Sequence, residues 1–349
     1  MTELVDGIPV QTVTRSWTAQ ELMARKTQAG ADVWADGDEL TFVYEGAADE
    51  VRVCCGIELP MQRVPDSDLW VLTVRIEGLA HAVISYAFFA TQNDQLIDER
   101  PHFTTWRGSQ APQPVARATV LAGQIQQHAL ESAALQATRD LTVYLPPGHD
   151  PAHAAPVIYV ADGQSVPDFA AVLEPLITAG TIPPIVLVGV HSPPGPFPDP
   201  SQDLRAHEYL PGYDPARFQA HERFFTEEVP AWAGRELGVA TDPAQRAVFG
   251  YSNGGVFAAM MALRHPERYG HSLAFSLGVP PGLPRSTTAR FYLVAGTLEP
   301  GFHSRTQEFA GELADYGVDH VFRDRVSGHD SVMWQEEFPK AVQWAFGQK

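Results

Sequence analysis

The second half of the chain alternates short apolar runs with segments that have helical periodicity. Helices are predicted over residues 169–179, 215–237 with a kink or break at Pro230, 256–265 and 331–346. Strands that are apolar along their whole length are buried on both faces, as in a mostly parallel sheet that is covered by helices. The runs that predict such strands are 140–145, 156–161, 184–190, 247–249, 272–275, 291–295 and 320–323.

The first half of the chain has a different pattern, in which apolar and polar positions alternate over short runs rich in β-branched and aromatic residues. A short helix is predicted over residues 16–28, and strands over 39–45, 51–55, 69–75 and 82–89. Short strands at this spacing predict a small all-β, immunoglobulin-like sandwich. Proline and polar residues at 107–118 indicate a linker, so we predict two domains, residues 1–112 and 113–349.

Composition limits the classes of function. The formal net charge of −18 argues against nucleic acid and anionic membranes as partners, because both bind positive surfaces. The 349-residue chain has no run of about twenty apolar residues and begins without a signal-peptide pattern, so we expect a cytoplasmic protein. The only cysteines, Cys54 and Cys55, are neighbours; we expect them not to bridge each other, and no cysteine spacing suggests a metal.

The segment from Gly250 to Gly254, Gly-Tyr-Ser-Asn-Gly, matches the nucleophile elbow G-x-S-x-G. It follows a predicted strand and precedes a predicted helix, which is the setting that this motif requires. Glycines flank Ser252 because so sharp a turn leaves no room for side chains. We therefore predict an α/β-hydrolase fold with Ser252 as nucleophile; the alternative is an ordinary strand-to-helix turn that contains a serine.

A nucleophilic serine needs a histidine base, which in this fold follows the serine along the chain. His329 is the preferred candidate, because it lies in a loop after the last predicted strand. His303 is a second possibility. The remaining histidines after Ser252 are placed at a helix end or at strand starts: His265, His271 and His320.

The base in turn needs an orienting carboxylate. Glu299 is the first carboxylate on the loop after the strand predicted at 291–295, whereas the rival Asp330 adjoins His329 and would have difficulty reaching its ring. For the oxyanion hole we expect the backbone amides of Asn253, which follows the nucleophile, and of Gln164, in the turn after the strand at 156–161.

On these residues the chain resembles the enterochelin (enterobactin) esterase group of the esterase D-like α/β-hydrolases. The resemblance is firm in the catalytic half and looser in the N-terminal half, where Leu40–Tyr44, Met61–Arg63, Asp68–Trp70 and Trp106–Gly108 are similar to that group's sandwich. The matching segments of the catalytic half are Thr142-Val-Tyr-Leu-Pro146, Tyr159-Val-Ala-Asp-Gly163, Arg205-Ala-His-Glu-Tyr-Leu-Pro211, Gly250-Tyr-Ser-Asn-Gly254, Gly296-Thr-Leu-Glu-Pro300 and Gly328-His-Asp-Ser-Val-Met-Trp334.

The resemblance implies hydrolysis of the ester bonds of a cyclic tri-catecholate siderophore, with release of iron in the cytoplasm and without a cofactor or a metal at the site. Ser252, Glu299 and His329 match the catalytic positions of the family. Arg205 matches a pocket arginine; the alternative is an ion pair with Glu208 on the same helix. Tyr251 and Trp334 would contact the substrate, although for Trp334, at the start of a helix, a core position is the preferred alternative.

Three other functions stay open on the residues alone, one of which is transfer of the acyl group to an alcohol rather than to water. The same triad would serve an esterase for another small ester, such as an acylated sugar, a feruloyl ester or a simple carboxylic ester. A binding protein could also use a hydrolase scaffold with an idle site, although the complete triad argues against it. In each enzymatic case the expected partner is a small-molecule ester, which includes a ferric siderophore.

Overall fold

The computed structural model describes residues 10–55, 57–93, 95–99, 103–193, 202–282 and 287–347. By its internal contacts the chain divides into two compact units. The first, here called the sandwich unit, consists of Met1–Gln113, Gly296–His303 and Asp324–Met333. The second, called the sheet unit, contains Pro114–Ala295, Ser304–Arg323 and Trp334–Lys349. The predicted division at residues 112 and 113 did not anticipate that two late segments cluster with the N-terminal part.

The sandwich unit contains two antiparallel sheets, as the alternating pattern predicted. One sheet has the strand order β1-β7-β3-β2 with β6 beside β7, and the other has the order β10-β8-β4-β5 with β9 beside β8. The strands are β1 Val10–Thr12, β2 Val33–Asp36, β3 Glu39–Glu45, β4 Glu50–Cys55, β5 Leu59–Pro60, β6 Gln62–Arg63, β7 Leu69–Ile76, β8 Val83–Gln92, β9 Gln95–Glu99 and β10 Thr104–Arg107.

One apolar core joins the two sheets of this unit. Phe42 of β3 and Leu72 of β7 pack in the same buried cluster as Val53 of β4 and Ile84 of β8. Helix α1, Ala19–Ala29, begins after Thr18, whose side chain accepts a hydrogen bond from the backbone of Glu21. Cys54 is disulfide-bonded. The expectation that the two cysteines do not bridge each other is therefore wrong.

The sheet unit is built on eight strands in the order β11-β12-β14-β13-β15-β16-β17-β18. The predicted parallel sheet is present from β14 to β17, whereas β11 and β12 form an antiparallel edge. The strands are β11 Gln124–Ser132, β12 Ala137–Leu145, β13 Val157–Ala161, β14 Val186–Val190, β15 Arg246–Tyr251, β16 His271–Phe275, β17 Arg290–Gly296 and β18 His320–Arg325.

Helices cover this sheet. Pro230 does not break the predicted helix at 215–237, because a π-helical turn, Phe224–Glu228, joins α4 to α5 just before it. No described helix is long and apolar enough to cross a membrane. The helices are α2 Val166–Thr178, α3 Leu204–Tyr209, α4 Pro215–Arg223, α5 Val229–Leu237, α6 Asn253–Arg264, α7 Pro300–Asp315 and α8 Ser331–Phe346.

Candidate active site

Ser252 occupies the turn between strand β15, which ends at Tyr251, and helix α6, which begins at Asn253. Its backbone has φ 57° and ψ −131°, a strained conformation for a residue with a side chain. Strain of this kind costs on the order of 1–3 kcal/mol and persists only where the surroundings enforce it. The conformation is the one expected for a serine at a nucleophile elbow.

Close backbone packing explains the glycines around Ser252. A Cβ atom on Gly250 would lie 2.1 Å from the carbonyl oxygen of Gly254, and one on Gly255 would lie 2.5 Å from the carbonyl oxygen of Phe275. The amide of Ser252 donates to the same Phe275 oxygen at 2.9 Å. The turn is therefore clamped between its own helix and strand β16, which leaves glycine as the residue that fits on either side.

The turn expected to supply the second oxyanion amide begins at Asp162, directly after strand β13. Asp162 has φ 57°, and Gly163–Ser165 form a single 3₁₀ turn that leads into α2. A Cβ atom on Gly163 would lie 2.3 Å from the carbonyl carbon of Gly189 in β14, so the turn is pressed against the neighbouring strand. The side-chain amide of Gln164 donates to Ser192 Oγ at 2.8 Å.

An ion pair links this turn to the elbow. The guanidinium of Arg205 donates from Nε to Asp162 Oδ1 and from Nη2 to Asp162 Oδ2, both at 2.7 Å, and Nη2 lies 3.4 Å from the carbonyl oxygen of Tyr251. Burial opposes the charged guanidinium, but the bonds to Asp162 outweigh it and raise the pKa of Arg205. A Cβ atom on Gly254 would lie 2.9 Å from Asp162 Oδ2, so this carboxylate packs against the first turn of α6.

Arg205 does not pair with Glu208, the alternative considered from the sequence. Glu208 is fully buried and accepts two hydrogen bonds at 2.7 Å from Arg139 and two, at 2.9 and 3.2 Å, from Arg217. Burial raises the pKa of Glu208, but the hydrogen bond from Arg139 and the charges around it outweigh burial, so the net shift is downward. Two separate buried ion networks therefore lie on α3, and that of Arg205 is the one directed at the predicted site.

The predicted acid and base form a direct pair. Nδ1 of His329 bonds to Oε2 of Glu299, whose other oxygen accepts a hydrogen bond from the backbone of Gly296 at 2.7 Å. The ring of Phe302 stacks on that of His329, with centroids 4.0 Å apart and planes 28° apart. An imidazole whose Nδ1–H is held by a carboxylate has Nε2 available to accept a proton, which is the arrangement that a general base needs.

The rival residues have other partners. Asp330 caps helix α8, since its Oδ1 accepts hydrogen bonds from the backbone of Val332 at 2.9 Å and of Met333 at 3.0 Å. Burial raises the pKa of Asp330. Nε2 of His303 lies 2.8 Å from the Asp324 carboxylate. Neither rival takes the place of Glu299 or His329 in the pair.

Tyr251 and Trp334 lie largely inside the protein. Their rings stack with centroids 4.2 Å apart and planes 16° apart, and Trp334 is only 8% exposed. The indole nitrogen of Trp334 donates to Ser276 Oγ at 2.9 Å, and burial raises the pKa of Tyr251 to about 12. The pair thus packs the start of α8 against the end of β15, which fits the core alternative for Trp334.

The three residues predicted to be catalytic each follow a strand of the same sheet: Ser252 after β15, Glu299 after β17 and His329 after β18. Strands β15, β16 and β17 are parallel, so Ser252 and Glu299 each come just after the carboxyl end of a strand. Open α/β sheets bind their ligands at this edge. Ser252 belongs to the sheet unit, and the Glu299–His329 pair belongs to the sandwich unit.

Sequence reasoning missed one polar residue of this region, Asp162. The sequence places it only within the matching segment Tyr159–Gly163 and predicts no role for it. The available signal was an acidic residue at the carboxyl end of a fully apolar strand and next to a glycine, but its partner Arg205 lies 43 positions away. The proline-rich segment 192–200 follows the strand predicted at 184–190 and predicts either a cleft loop or a plain surface connection; most of it lies outside the described residues. Among the described residues, no group of three His, Cys, Asp or Glu side chains could hold a metal ion.

Comparison with known proteins gives one sequence family and several solved structures. The sequence profile of the Esterase family, described as "Putative esterase", matches residues 132–345, more than half of the 349-residue chain. No curated protein sequence matches this chain.

The solved structures share the fold at low sequence identity. The enterobactin esterase from Shigella flexneri, solved in the presence of enterobactin, is 19% identical with a TM-score of 0.70, over 90% of this chain and 94% of that chain. The ferric enterobactin esterase from Salmonella typhimurium is 17% identical with a TM-score of 0.70, over 90% and 95%. A CE1 ferulic acid esterase from Anaeromyces mucronatus, solved in complex with ferulic acid, is 16% identical with a TM-score of 0.53, over 63% and 90%.

Proposed function

The chain belongs to the Esterase family of carboxylic ester hydrolases and has the α/β-hydrolase fold, and on this premise we propose that it is a serine esterase that cleaves a siderophore of the enterobactin type. Its proposed catalytic residues are Ser252, His329 and Glu299. The ferric ion of such a siderophore is cargo that hydrolysis releases, and the chemistry of ester cleavage uses side chains and backbone amides alone.

In the proposed reaction, Ser252 Oγ attacks the ester carbonyl while His329 Nε2 takes its proton. The negative charge on the carbonyl oxygen is stabilised by the amides of Asn253, at the start of α6, and of Gln164. His329 then gives the proton to the leaving alcohol, and a water molecule hydrolyses the acyl-enzyme by the same steps in reverse. Glu299 holds the Nδ1–H of His329 and stabilises the imidazolium that forms.

The observation that carries the serine mechanism is the backbone of Ser252, at φ 57° and ψ −131° in a clamped turn before a helix. A buried structural serine has no need of a conformation that costs on the order of 1–3 kcal/mol. The pairing of His329 Nδ1 with Glu299 supports the same mechanism from the other side, because a carboxylate at Nδ1 favours the ring orientation and tautomer that a general base needs.

The siderophore substrate is supported by the extent of the structural match. Enterobactin esterases match 90% of this chain, whereas the ferulic acid esterase matches 63%. The larger match must extend well into the N-terminal residues, so it includes much of the part that a plain α/β-hydrolase lacks. The motifs of the sequence resemblance also fall in both halves of the chain.

The test is to incubate the protein with iron-free and with ferric enterobactin and to follow the products by mass spectrometry. We expect stepwise appearance of the linear trimer and smaller pieces, and none with Ser252→Ala. A panel with ethyl ferulate, an acetylated sugar and p-nitrophenyl acetate is assayed in parallel. Ser252-dependent turnover of the panel without cleavage of enterobactin would overturn the siderophore substrate and keep the esterase. No Ser252-dependent turnover of any ester would overturn the serine mechanism.

A further inference from the structure

The two loops that carry the proposed acid and base belong to the sandwich unit, although the strands before them belong mainly to the sheet unit. The acid loop is Gly296–His303, which contains Glu299, and the base loop is Asp324–Met333, which contains His329. For a β-sandwich beside a catalytic sheet, the simplest roles are packing and substrate presentation. The contacts inside this unit point to a role in catalysis itself.

The base loop is bound to the first residue of strand β8. The amide of Val83 donates to the carbonyl oxygen of Val326 at 2.9 Å, and the hydroxyl of Ser327 donates to the carbonyl oxygen of Val83 at 2.6 Å. Both backbone groups of Val83 are thus used by the two residues that lie just before Gly328 and His329. Ser327 is fully buried, so its hydrogen bond is shielded from water.

The acid loop is anchored in the same unit. Leu298 is 4% exposed and packs in the core cluster that contains residues of both sandwich sheets, such as Phe42 and Ile84. Its amide donates to the carbonyl oxygen of Ser327 at 3.0 Å, and the amide of Thr297 donates to that of Arg325 at 2.7 Å. The acid loop is therefore bonded to the base loop and is also embedded in the sandwich core.

We propose that the sandwich positions the Glu299–His329 pair, with the backbone of Val83 and the hydroxyl of Ser327 as the fixed points. In this proposal Ser327 is a positioning residue: it acts through His329 and does not contact substrate. Such positioning matters because a displacement of about 1 Å of a catalytic group can cost about a hundredfold in rate. The proposal rests on the proposed function for its meaning in catalysis, but its structural part can be tested separately.

A positioning role and a substrate-presenting role affect different kinetic constants. A presenting module matters to large substrates and affects KM. A module that aligns the base matters equally to a small ester that the sandwich never touches, and it affects kcat. p-Nitrophenyl acetate is therefore the informative substrate, beside whichever larger ester the protein hydrolyses.

The experiment compares Ser327→Ala with a control of matched cost, Thr41→Val. Thr41 Oγ1 lies 3.0 Å from Thr73 Oγ1 inside one sandwich sheet, so the control also removes a buried hydrogen bond from this unit. Both variants are assayed for kcat and KM on p-nitrophenyl acetate, and urea unfolding confirms that their stability losses are similar. Proton NMR follows the downfield resonance of the His329 Nδ1–H bonded to Glu299, identified by its loss in His329→Ala.

We expect Ser327→Ala to lower kcat by about tenfold or more with KM within about twofold, and to weaken or shift the Nδ1–H resonance. Thr41→Val should leave kcat and the Nδ1–H resonance unchanged. Wild-type kcat and resonance in Ser327→Ala, or equal effects of the two variants, would overturn the proposal. If Ser327→Ala does not fold, Leu298→Val takes its place with the same expected results, since it loosens the acid loop by one methylene.

The two proposals fail in distinguishable ways. If the wild-type protein shows no Ser252-dependent turnover, the proposed function is wrong, and the NMR comparison alone decides whether the sandwich positions the pair. If Ser252-dependent turnover is present and Ser327→Ala behaves like Thr41→Val, the proposed function stands and the positioning role is wrong.

Discussion

Asp162 and Arg205 form a two-point ion pair in which both nitrogen–oxygen distances are 2.7 Å. Asp162 begins the turn that contains Gln164, and Arg205 also lies 3.4 Å from the carbonyl oxygen of Tyr251, the last residue before Ser252. One guanidinium therefore holds the turn of the proposed oxyanion amide and the end of the elbow strand. The charge of Arg205, which the sequence resemblance predicts to face a substrate pocket, is paired within the protein.

Arg205→Lys should lower kcat by roughly tenfold to a hundredfold with little change in KM. A lysine ammonium cannot make the two-point pair with Asp162, so the turn that carries Gln164 loses one of its constraints. Steady-state kinetics on a small ester would measure the effect. Arg217→Lys is the matched control, because Glu208 keeps both bonds from Arg139 in that variant. A raised KM with unchanged kcat would instead indicate that Arg205 contacts substrate.

A fluorophosphonate should label the protein once, at Ser252. The reagent reacts with serines that are activated by a base, so digestion and peptide mass spectrometry should place the adduct on the elbow peptide. Ser252→Ala should give no adduct. Because Ser165 lies in the neighbouring turn, Ser165→Ala is a suitable control and should label at the wild-type site. Labelling elsewhere, or none, would contradict the activated serine and favour a binding protein with an idle site.

His329→Ala should lower kcat by at least about a thousandfold, whereas His303→Ala should stay within a few-fold of wild type. The reason is that Nδ1 of His329 is held by the buried Glu299, while His303 pairs with Asp324, which is 56% exposed. Parallel kinetics of the two variants decide between the histidines that the sequence left as candidates. The reverse order of effects would assign the base to His303.

Gly163→Ala should destabilise the protein and slow ester hydrolysis, because the added methyl group would lie 2.3 Å from a backbone carbon of Gly189. We expect a loss of about 1–3 kcal/mol in the free energy of unfolding, together with a lower kcat as the turn moves. Gly212→Ala is the control, since a Cβ atom there meets nothing within 4 Å. Urea unfolding and kinetics on both variants are the measurements, and equal behaviour of the two would refute the assigned constraint.

Stability should fall between about pH 6.5 and 4, because two histidines that are buried and neutral in the folded protein become protonated in the unfolded chain. Burial lowers the pKa of His221 and of His271 to about 4, against about 6.5 in the unfolded chain. In that window the unfolded chain binds more protons, so the free energy of unfolding decreases as the pH falls. Each histidine should contribute roughly 2 kcal/mol of loss by pH 5.

His221→Leu should reduce this acid sensitivity. Nδ1 of His221 lies 3.5 Å from the Glu208 carboxylate, which partly opposes the shift caused by burial. Urea unfolding at pH 7 and at pH 5 gives the difference for wild type and variant. An identical difference in the two proteins would mean that His221 is not protonated on unfolding in this range.

The sequence predicted the elements whose pattern is locally complete. Strand β3 and helix α8 have the predicted bounds, because an alternating run and a periodic run each end at clear polar signals. Helix α7 and strand β11 were missed. Strand β11 is largely polar at the edge of the sheet, and α7 begins with Pro-Gly, which is typical of a turn. In both cases pairing with the rest of the fold decides the structure.

In the candidate site, too, the sequence predicted residues that a local pattern marks and missed contacts between distant residues. Ser252, Glu299 and His329 could be proposed from the sequence because a motif and the order along the chain place them after three of the predicted strands, β15, β17 and β18. The bond between Arg205 and Asp162 could not, since no local pattern indicates a partner 43 positions away. The hydrogen bond from Ser327 to Val83 could not be predicted either, because the two residues are 244 positions apart. Such contacts depend on tertiary structure that residue spacing does not encode.

The membership of the acid and base loops in the sandwich unit also bears on how the chain folds during synthesis. An N-terminal domain usually completes its core while the ribosome is still making the next one. Here the core that begins at Val10 includes Leu298, so it stays incomplete until most of the 349 residues have emerged. Contacts that distant in sequence slow folding. The nascent sandwich therefore exposes the apolar surface that Leu298 covers for longer than its position in the chain suggests.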